Sequence, residues 1–287
     1  MYAIAGVSGH TGSVAATTLL AQGKQVRVIV RDAAKGAEWK SKGAEVAIAD
    51  VDDEATLAKA FAGTDGVFVL LPPNLGASDP LGEQARRTKN ITNAALTAKV
   101  PHLVLLSSLG AHLPSGTGPI AGLGRAEKEF AAAKIPFTAV RAAFFQENWG
   151  MSFGALAQNI LPTFTPKALR FPQVATADIG RTVAAALVEG PHGARTIIEL
   201  SGPRDYSTED AAAAVSAILG KTILAVDAPL DALVATFTGM GVAEPVAKLY
   251  LEMYTSLAAG HLKAESGHRA INGKVELADT LRALLAK

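Results

Sequence analysis

The feature that most constrains this chain is a glycine loop, Gly6-Val7-Ser8-Gly9-His10-Thr11-Gly12, set between an apolar run at Tyr2–Ala5 and a segment with apolar residues at helical spacing. Glycine at every third position allows a tight strand-to-helix turn and lets the main chain come close to a ligand. The turn also leaves free N–H groups at the start of a helix, where the helix dipole favours negative charge. With a strand before it and a helix after it, the loop fits the pyrophosphate-binding turn of a βαβ unit. The bare alternative is a tight turn with no ligand. His10 stands inside the loop, so its backbone N–H is the expected phosphate contact and its imidazole is not a base. Gly6, Gly9, His10, Thr11 and Gly12 are the first candidate cofactor residues.

From Tyr2 to Arg141 short apolar runs alternate with longer amphipathic segments. Runs at Tyr2–Ala5, Gln25–Val30, Glu45–Ile48, Val67–Leu71, His102–Leu106 and Phe137–Val140 read as strands, with helices near residues 12–22, 33–42, 53–62, 79–99 and 122–133 between them. Such alternation predicts βα units and a parallel sheet. Unbroken apolarity, as in Val67-Phe68-Val69-Leu70-Leu71, predicts strands covered on both faces. Asp52 or Asp53 is placed to cap the third helix, and Pro136 stops the fifth.

Beyond Arg141 the rhythm is irregular, with Pro162, Pro166 and Pro172 in a Phe-rich connector. A helix from Thr176 or Asp178, a strand at Arg195–Leu200 and an Ala-rich helix follow. Ser207-Thr208-Glu209-Asp210 opens that last helix in the pattern of a capping box, with Asp for Glu. A strand at Thr222–Val226 comes next. The predicted fold is a Rossmann-type doubly wound parallel sheet over residues 1–150, with a smaller, partly interwoven α/β substrate or lid region over 151–287. Helical stretches at 229–241 and 243–260 suit a lid or a homodimer face.

Composition removes several classes. Lys and Arg number 27 against 26 Asp and Glu, a net charge of +1, so no overall field holds a nucleic acid. With no Cys there is no disulfide, thiolate metal site or cysteine nucleophile, which fits a reducing, cytoplasmic setting. The longest uncharged stretches, Val100–Gly124 and Asn148–Pro166, are too broken by Pro and Gly to be membrane spans. No basic region precedes the first apolar run, so no secretory signal is expected. The His residues at 10, 102, 112, 192, 261 and 268 form no pair at helical metal spacing, so no metal site is expected. No G-x-S-x-G elbow occurs, which disfavours a serine hydrolase.

The second strand closes with Val30-Arg31-Asp32, about 20 residues past the loop, where an NAD-specific site would set an acidic residue against the ribose 2′-hydroxyl. Arg31 stands there instead. A guanidinium pairs with a 2′-phosphate and stacks on adenine, which favours NADP(H) over NAD(H). The competing reading is a solvated arginine at a strand end. Asp50, followed by Val51, meets the adenine amino edge or caps the next helix. Leu71-Pro72-Pro73 closes the fourth strand, where the prolines form a wall against ribose or nicotinamide or merely end the strand.

Taken with Leu106-Ser107-Ser108, Lys128, Arg141, Phe145-x-Glu147-Asn148, Asp178-Ile179 and Ser201-Gly202-Pro203, these residues resemble the NmrA-like group of atypical short-chain dehydrogenases, over about residues 1–225. The resemblance implies either an NAD(P)H-dependent quinone oxidoreductase, with isoflavone and lignan reductases as neighbours, or a dinucleotide-binding regulator that senses redox state through a protein partner.

Short-chain dehydrogenases pair a Tyr with a Lys four residues on, so that the phenol exchanges a proton with the substrate oxygen. Tyr occurs here only at 2, 206, 250 and 254, none followed four residues later by Lys. At the resembling place, Gly124 stands where the Tyr would be and Lys128 is kept. A ketone reduced without that acid would leave a strongly basic alkoxide, whereas a quinone leaves a weakly basic phenolate-type anion. The expected substrate is therefore a small quinone-like acceptor. Lys128 is the candidate catalytic group and a ribose contact, or else part of a solvated helix face. Ser107 and Phe144 are expected beside the cofactor, and Ser108, Phe145, Asn148 and Trp149 beside the acceptor. Local capping for the serines and core packing for the aromatics are the plain alternatives.

Overall fold

In the computed structural model, which describes residues 1–286, all six apolar runs become strands of one parallel sheet. The first half runs β1 (Tyr2–Ala5), α1 (His10–Ala21), β2 (Val26–Val30), α2 (Ala33–Ser41), β3 (Glu45–Ile48), α3 (Glu54–Phe61), β4 (Gly66–Val69), α4 (Pro80–Thr97), β5 (Leu103–Ser108), α5 (Ile120–Ala132) and β6 (Phe137–Ala142). There follow β7 (Phe144–Phe145), 3-10 turns over Gln146–Gln158, β8 (Ile160–Thr163), β9 (Phe171–Val174) and α6 (Thr176–Glu189). The chain continues through β10 (Arg195–Ser201), β11 (Asp205–Tyr206), α7 (Thr208–Leu219), β12 (Leu224–Asp227) and a 3-10 turn at Leu230–Ala232. It closes with α8 (Leu233–Gly239), α9 (Glu244–Ala258), β13 (Arg269–Asn272) and α10 (Leu277–Leu285).

The main sheet has eight strands in the order β3-β2-β1-β4-β5-β6-β10-β13. Chain order reverses between β1 and β4, which opens a crevice at their C-terminal ends, the place where doubly wound sheets bind ligands. Strand alternation divides the core in two. Val28, Val30 and Phe68 pack beneath α1 and α6 with Ala15, Leu19 and Val183. Ile29, Val67 and Val69 pack on the opposite face with Leu57, Phe61, Ile91 and Phe130. Helices α1 and α6 meet closely because residue 180 is Gly: a Cβ there would lie 2.7 Å from the Thr11 carbonyl oxygen.

The C-terminal region is interwoven with the first half, since α6 covers the main sheet and β10 and β13 extend it. Its own strands form two small sheets, β11-β9-β7 and β12-β8. The expected capping box at Ser207 is present: Asp210 N–H donates to Ser207 Oγ at 3.1 Å, and Ser207 N–H donates to Asp210 Oδ2 at 2.8 Å. The start of α6 is capped from a distance. Thr176 N–H donates to Glu147 Oε1 at 2.9 Å, so Glu147 of the Phe145-x-Glu147-Asn148 stretch ties the 3-10 segment to the helix. Among the described residues no helix is long and apolar enough to cross a membrane.

Candidate active site

The glycine loop has the geometry of a phosphate cradle. Gly6 adopts φ 71°, and Gly9 N–H donates to the Gly6 carbonyl at 2.9 Å. A Cβ on Gly12 would lie 2.5 Å from the Gly6 carbonyl oxygen and 2.8 Å from that of Ala5, so only glycine lets α1 start this close to β1. Gly9 is the N-cap of α1, which has no side-chain cap and no acidic residue in its first turn. Its first N–H groups and positive dipole end are uncompensated, which fits the pyrophosphate of a dinucleotide. His10 is exposed and the Thr11 side chain is buried, so each offers the loop a backbone N–H.

Beside the loop, the ends of β1 to β4 enclose a cleft of about 160 Å³ lined by Gly6, Arg31, Asp50, Val51 and Pro72, together with Lys35 and Arg87. Arg31 and Lys35 are both exposed at its mouth. Asp32 is turned away: its carboxylate accepts from Ala34 N–H at 2.9 Å and caps α2. The acidic neighbour of Arg31 is thus occupied with the helix. Asp50 closes a local turn by accepting from Asp52 N–H at 3.0 Å, while Asp53 caps α3. Asp52 instead clamps Arg87, accepting from its Nε at 2.9 Å and its Nη2 at 3.1 Å. The hydrogen bond to Arg87 holds the Asp52 carboxyl below its usual range, against the opposing effect of burial. Arg87 also donates to the Pro72 carbonyl at 3.0 Å, fixing the proline wall.

Leu71 and Ser107, both expected beside the cofactor, stand elsewhere, each one residue from the group that faces a cavity. Leu71 is buried in the core, and Leu70 lines the cleft. Ser107 is buried with its hydroxyl donating to Glu127 Oε1 at 2.7 Å, and Ser108 faces the next cavity. Successive strand side chains point to opposite faces, so one position decides between core and site.

Past Pro73, the ends of β5 and β6 open into a cavity of about 370 Å³. Ser108, Phe144, Phe145 and Asn148 line it, with Tyr250, Met253 and Leu257 of α9 closing it from the C-terminal region. No charged side chain lines this cavity. Burial pushes the Tyr250 phenol above its usual pKa, so it stays protonated and offers a hydrogen-bond donor. Tyr250 is a site residue that sequence reasoning missed, because its distance along the chain carries no local motif. A side chain at Gly124, where the resemblance would set the Tyr, is sterically barred: its Cβ would collide with the Ala111 carbonyl oxygen.

Lys128 lies exposed on α5 and lines neither the dinucleotide cleft nor this cavity. Its neighbour Glu127 is the residue directed inward, and consecutive helical positions point about 100° apart. Trp149 is buried and donates from Nε1 to Gln173 Oε1 at 2.9 Å; it lines a separate cavity behind Phe144.

Behind the site, Arg141 of β6 is fully buried. Its Nε and Nη2 donate to the two oxygens of Glu127, and its Nη1 reaches Glu199 at 3.1 Å and Glu265 at 2.6 Å. The fold also brings a polar atom of His112 within 4.8 Å of those of Glu199 and Glu265, a grouping the sequence spacing did not show. Arg141 already supplies positive charge to both carboxylates, which opposes a metal cation there.

A crevice at the strand-order reversal, with an uncapped helix start and a glycine cradle, defines a dinucleotide-binding α/β protein. A family model described as NAD(P)H-binding matches residues 6–190, well over half the chain, and the protein belongs to that family. It is 28% identical over 257 residues to an NAD(P)H azoreductase of Xenophilus azovorans, covering 88% of this chain and 86% of the relative. Its fold matches the NADPH complex of an NADPH-dependent quinone oxidoreductase from Escherichia coli, with TM-score 0.83, 24% identity and coverage of 99% and 100% of the two chains. It also matches triphenylmethane reductase of Citrobacter sp. complexed with NADP(H), with TM-score 0.83, 20% identity and coverage of 99% and 100%.

Proposed function

We propose that this protein is an NADPH-dependent oxidoreductase that reduces a quinone or a similar conjugated aromatic acceptor. The observation that carries this reading is the uncharged, aromatic-walled cavity at the ends of β5 and β6, continuous in the strand-edge row with the dinucleotide cleft at the ends of β1 to β4. When bound, the reduced nicotinamide supplies the hydride. The chain itself binds, orients and screens. Arg31 and Lys35 meet the adenosine 2′-phosphate, which underlies the preference for NADPH over NADH.

Phe144 and Phe145 hold a flat ring, and Ser108 and Asn148 mark the polar edge of the cavity. Tyr250 donates a hydrogen bond to the acceptor oxygen as charge builds on it, the duty that the barred position at Gly124 cannot perform. The apolar lining disfavours charged acceptors, which would lose hydration without a partner. An azoreductase and a quinone oxidoreductase among the similar proteins support a conjugated acceptor. A pure redox sensor has no need of a cavity of about 370 Å³ beside its dinucleotide site.

Filling the cavity tests the reading. Met253→Trp is expected to raise the KM for a benzoquinone about tenfold or more, with the NADPH dissociation constant unchanged. Unchanged acceptor kinetics in a folded variant would overturn the placement of the acceptor.

A further inference from the structure

A second cavity, of about 300 Å³, lies one layer farther from the sheet, between the 3-10 segment, β8 and α8–α9. Trp149, Phe164, Phe171, Phe237 and Tyr254 furnish its walls, and no charged side chain lines it. Met151 and Met240 also line it, each 56% exposed, so flexible apolar side chains stand at its mouth. The first cavity touches the strand ends through Ser108 and Ala143, whereas no residue of the dinucleotide cleft or of β5 and β6 lines the second. A ligand part seated in the second cavity would therefore lie away from the strand ends and the dinucleotide cleft.

The two cavities share Phe144 and Asn148. Asn148 is exposed, and among the described residues its amide makes no hydrogen bond, so it is open to a polar linker at this junction. We infer that the natural acceptor is an extended, uncharged molecule in two parts. A reducible ring occupies the first cavity, an aromatic or aliphatic tail occupies the second, and a short linker passes between Phe144 and Asn148. This inference rests on the proposed function for the first cavity and adds the tail subsite to it.

The test compares 1,4-benzoquinone with the same quinone carrying a phenylalkyl tail, on wild type and on Ala155→Phe and Thr236→Phe, which narrow the second cavity alone. In wild type the tailed quinone is expected to have a KM at least about tenfold lower. In both variants that advantage disappears, while kcat and the kinetics of untailed benzoquinone stay as in wild type. Equal KM values for the two quinones in wild type, or a tail advantage that survives both variants, overturn the inference.

A second readout needs no turnover. Trp149 lines the second cavity and Trp39 sits in α2. In a Trp39→Phe background, the redox-inert dimethoxybenzene bearing the same tail is expected to quench Trp149 fluorescence, and less so with Ala155→Phe added. Quenching without quinone turnover would sink the proposed reaction while supporting the tail subsite. No quenching would count against the subsite even if small quinones are reduced.

Discussion

Arg141 and Glu127 form a two-point ion pair in the interior, with Nε to Oε1 at 2.9 Å and Nη2 to Oε2 at 2.7 Å, both side chains almost wholly removed from solvent. The pair joins β6 to α5 directly behind Ser107 and Ser108. Deleting Glu127 leaves the Arg141 Nε and Nη2 donors buried without an acceptor, while Glu199 and Glu265 still hold Nη1, and Ser107 also loses its acceptor. Glu127→Ala is expected to cost about 1–3 kcal/mol, read as a lower urea midpoint at an unchanged slope. A loss below about 1 kcal/mol would show that the network relaxes around the missing carboxylate.

The proposed preference for NADPH rests on Arg31, since Asp32 is committed to the start of α2. Arg31→Ala is expected to weaken NADPH binding roughly tenfold or more, the range for a lost charge-assisted hydrogen bond, and to leave NADH binding nearly unchanged. Titration of the two nucleotides against wild type and variant reads this directly. Equal losses for both would place Arg31 on adenine and not on the 2′-phosphate.

His102 is fully buried at the head of β5, its Nε2 2.9 Å from Thr138 Oγ1. Burial pushes its imidazole down to about 4 from the ordinary 6.5, with the charge of His192 adding in the same direction. The unfolded chain therefore binds this proton more readily than the folded one. The stabilising effect is complete above pH 6.5 and is lost as the pH falls through 6.5 toward 4, amounting to about 3 kcal/mol at the acid end. Urea midpoints measured across that window are expected to decline in wild type and to flatten in His102→Gln.

The nucleotide half of the fold was legible from local pattern. Each strand and helix there is short and periodic, and the glycine loop, Arg31 and Asp50 follow their strands in register with the fold rule. What the sequence concealed is facing. In Val69-Leu70-Leu71 and Leu106-Ser107-Ser108 both faces of the strand are covered, so composition does not reveal which residue meets the crevice. On α5 the same ambiguity made Lys128 look like a site residue, when the inward charge is Glu127. Tyr250 and Met253 reach the cavity from α9, about a hundred residues beyond Phe145, and only tertiary packing brings them there. The long 3-10 segment at Gln146–Gln158 was hidden as well, because its start is tied through Glu147 to Thr176, distant in the chain at the head of α6.

The most direct measurement is the loss of reduced-nicotinamide absorbance when the purified protein is given NADPH with uncharged benzoquinones, naphthoquinones and simple ketones, and NADH in parallel. Steady turnover is expected with the quinones, faster at low nucleotide with NADPH than with NADH, and none with the ketones. Stoichiometric NADPH binding without oxidation by any quinone would contradict the proposed function, and so would ketone reduction at a rate matching the quinones.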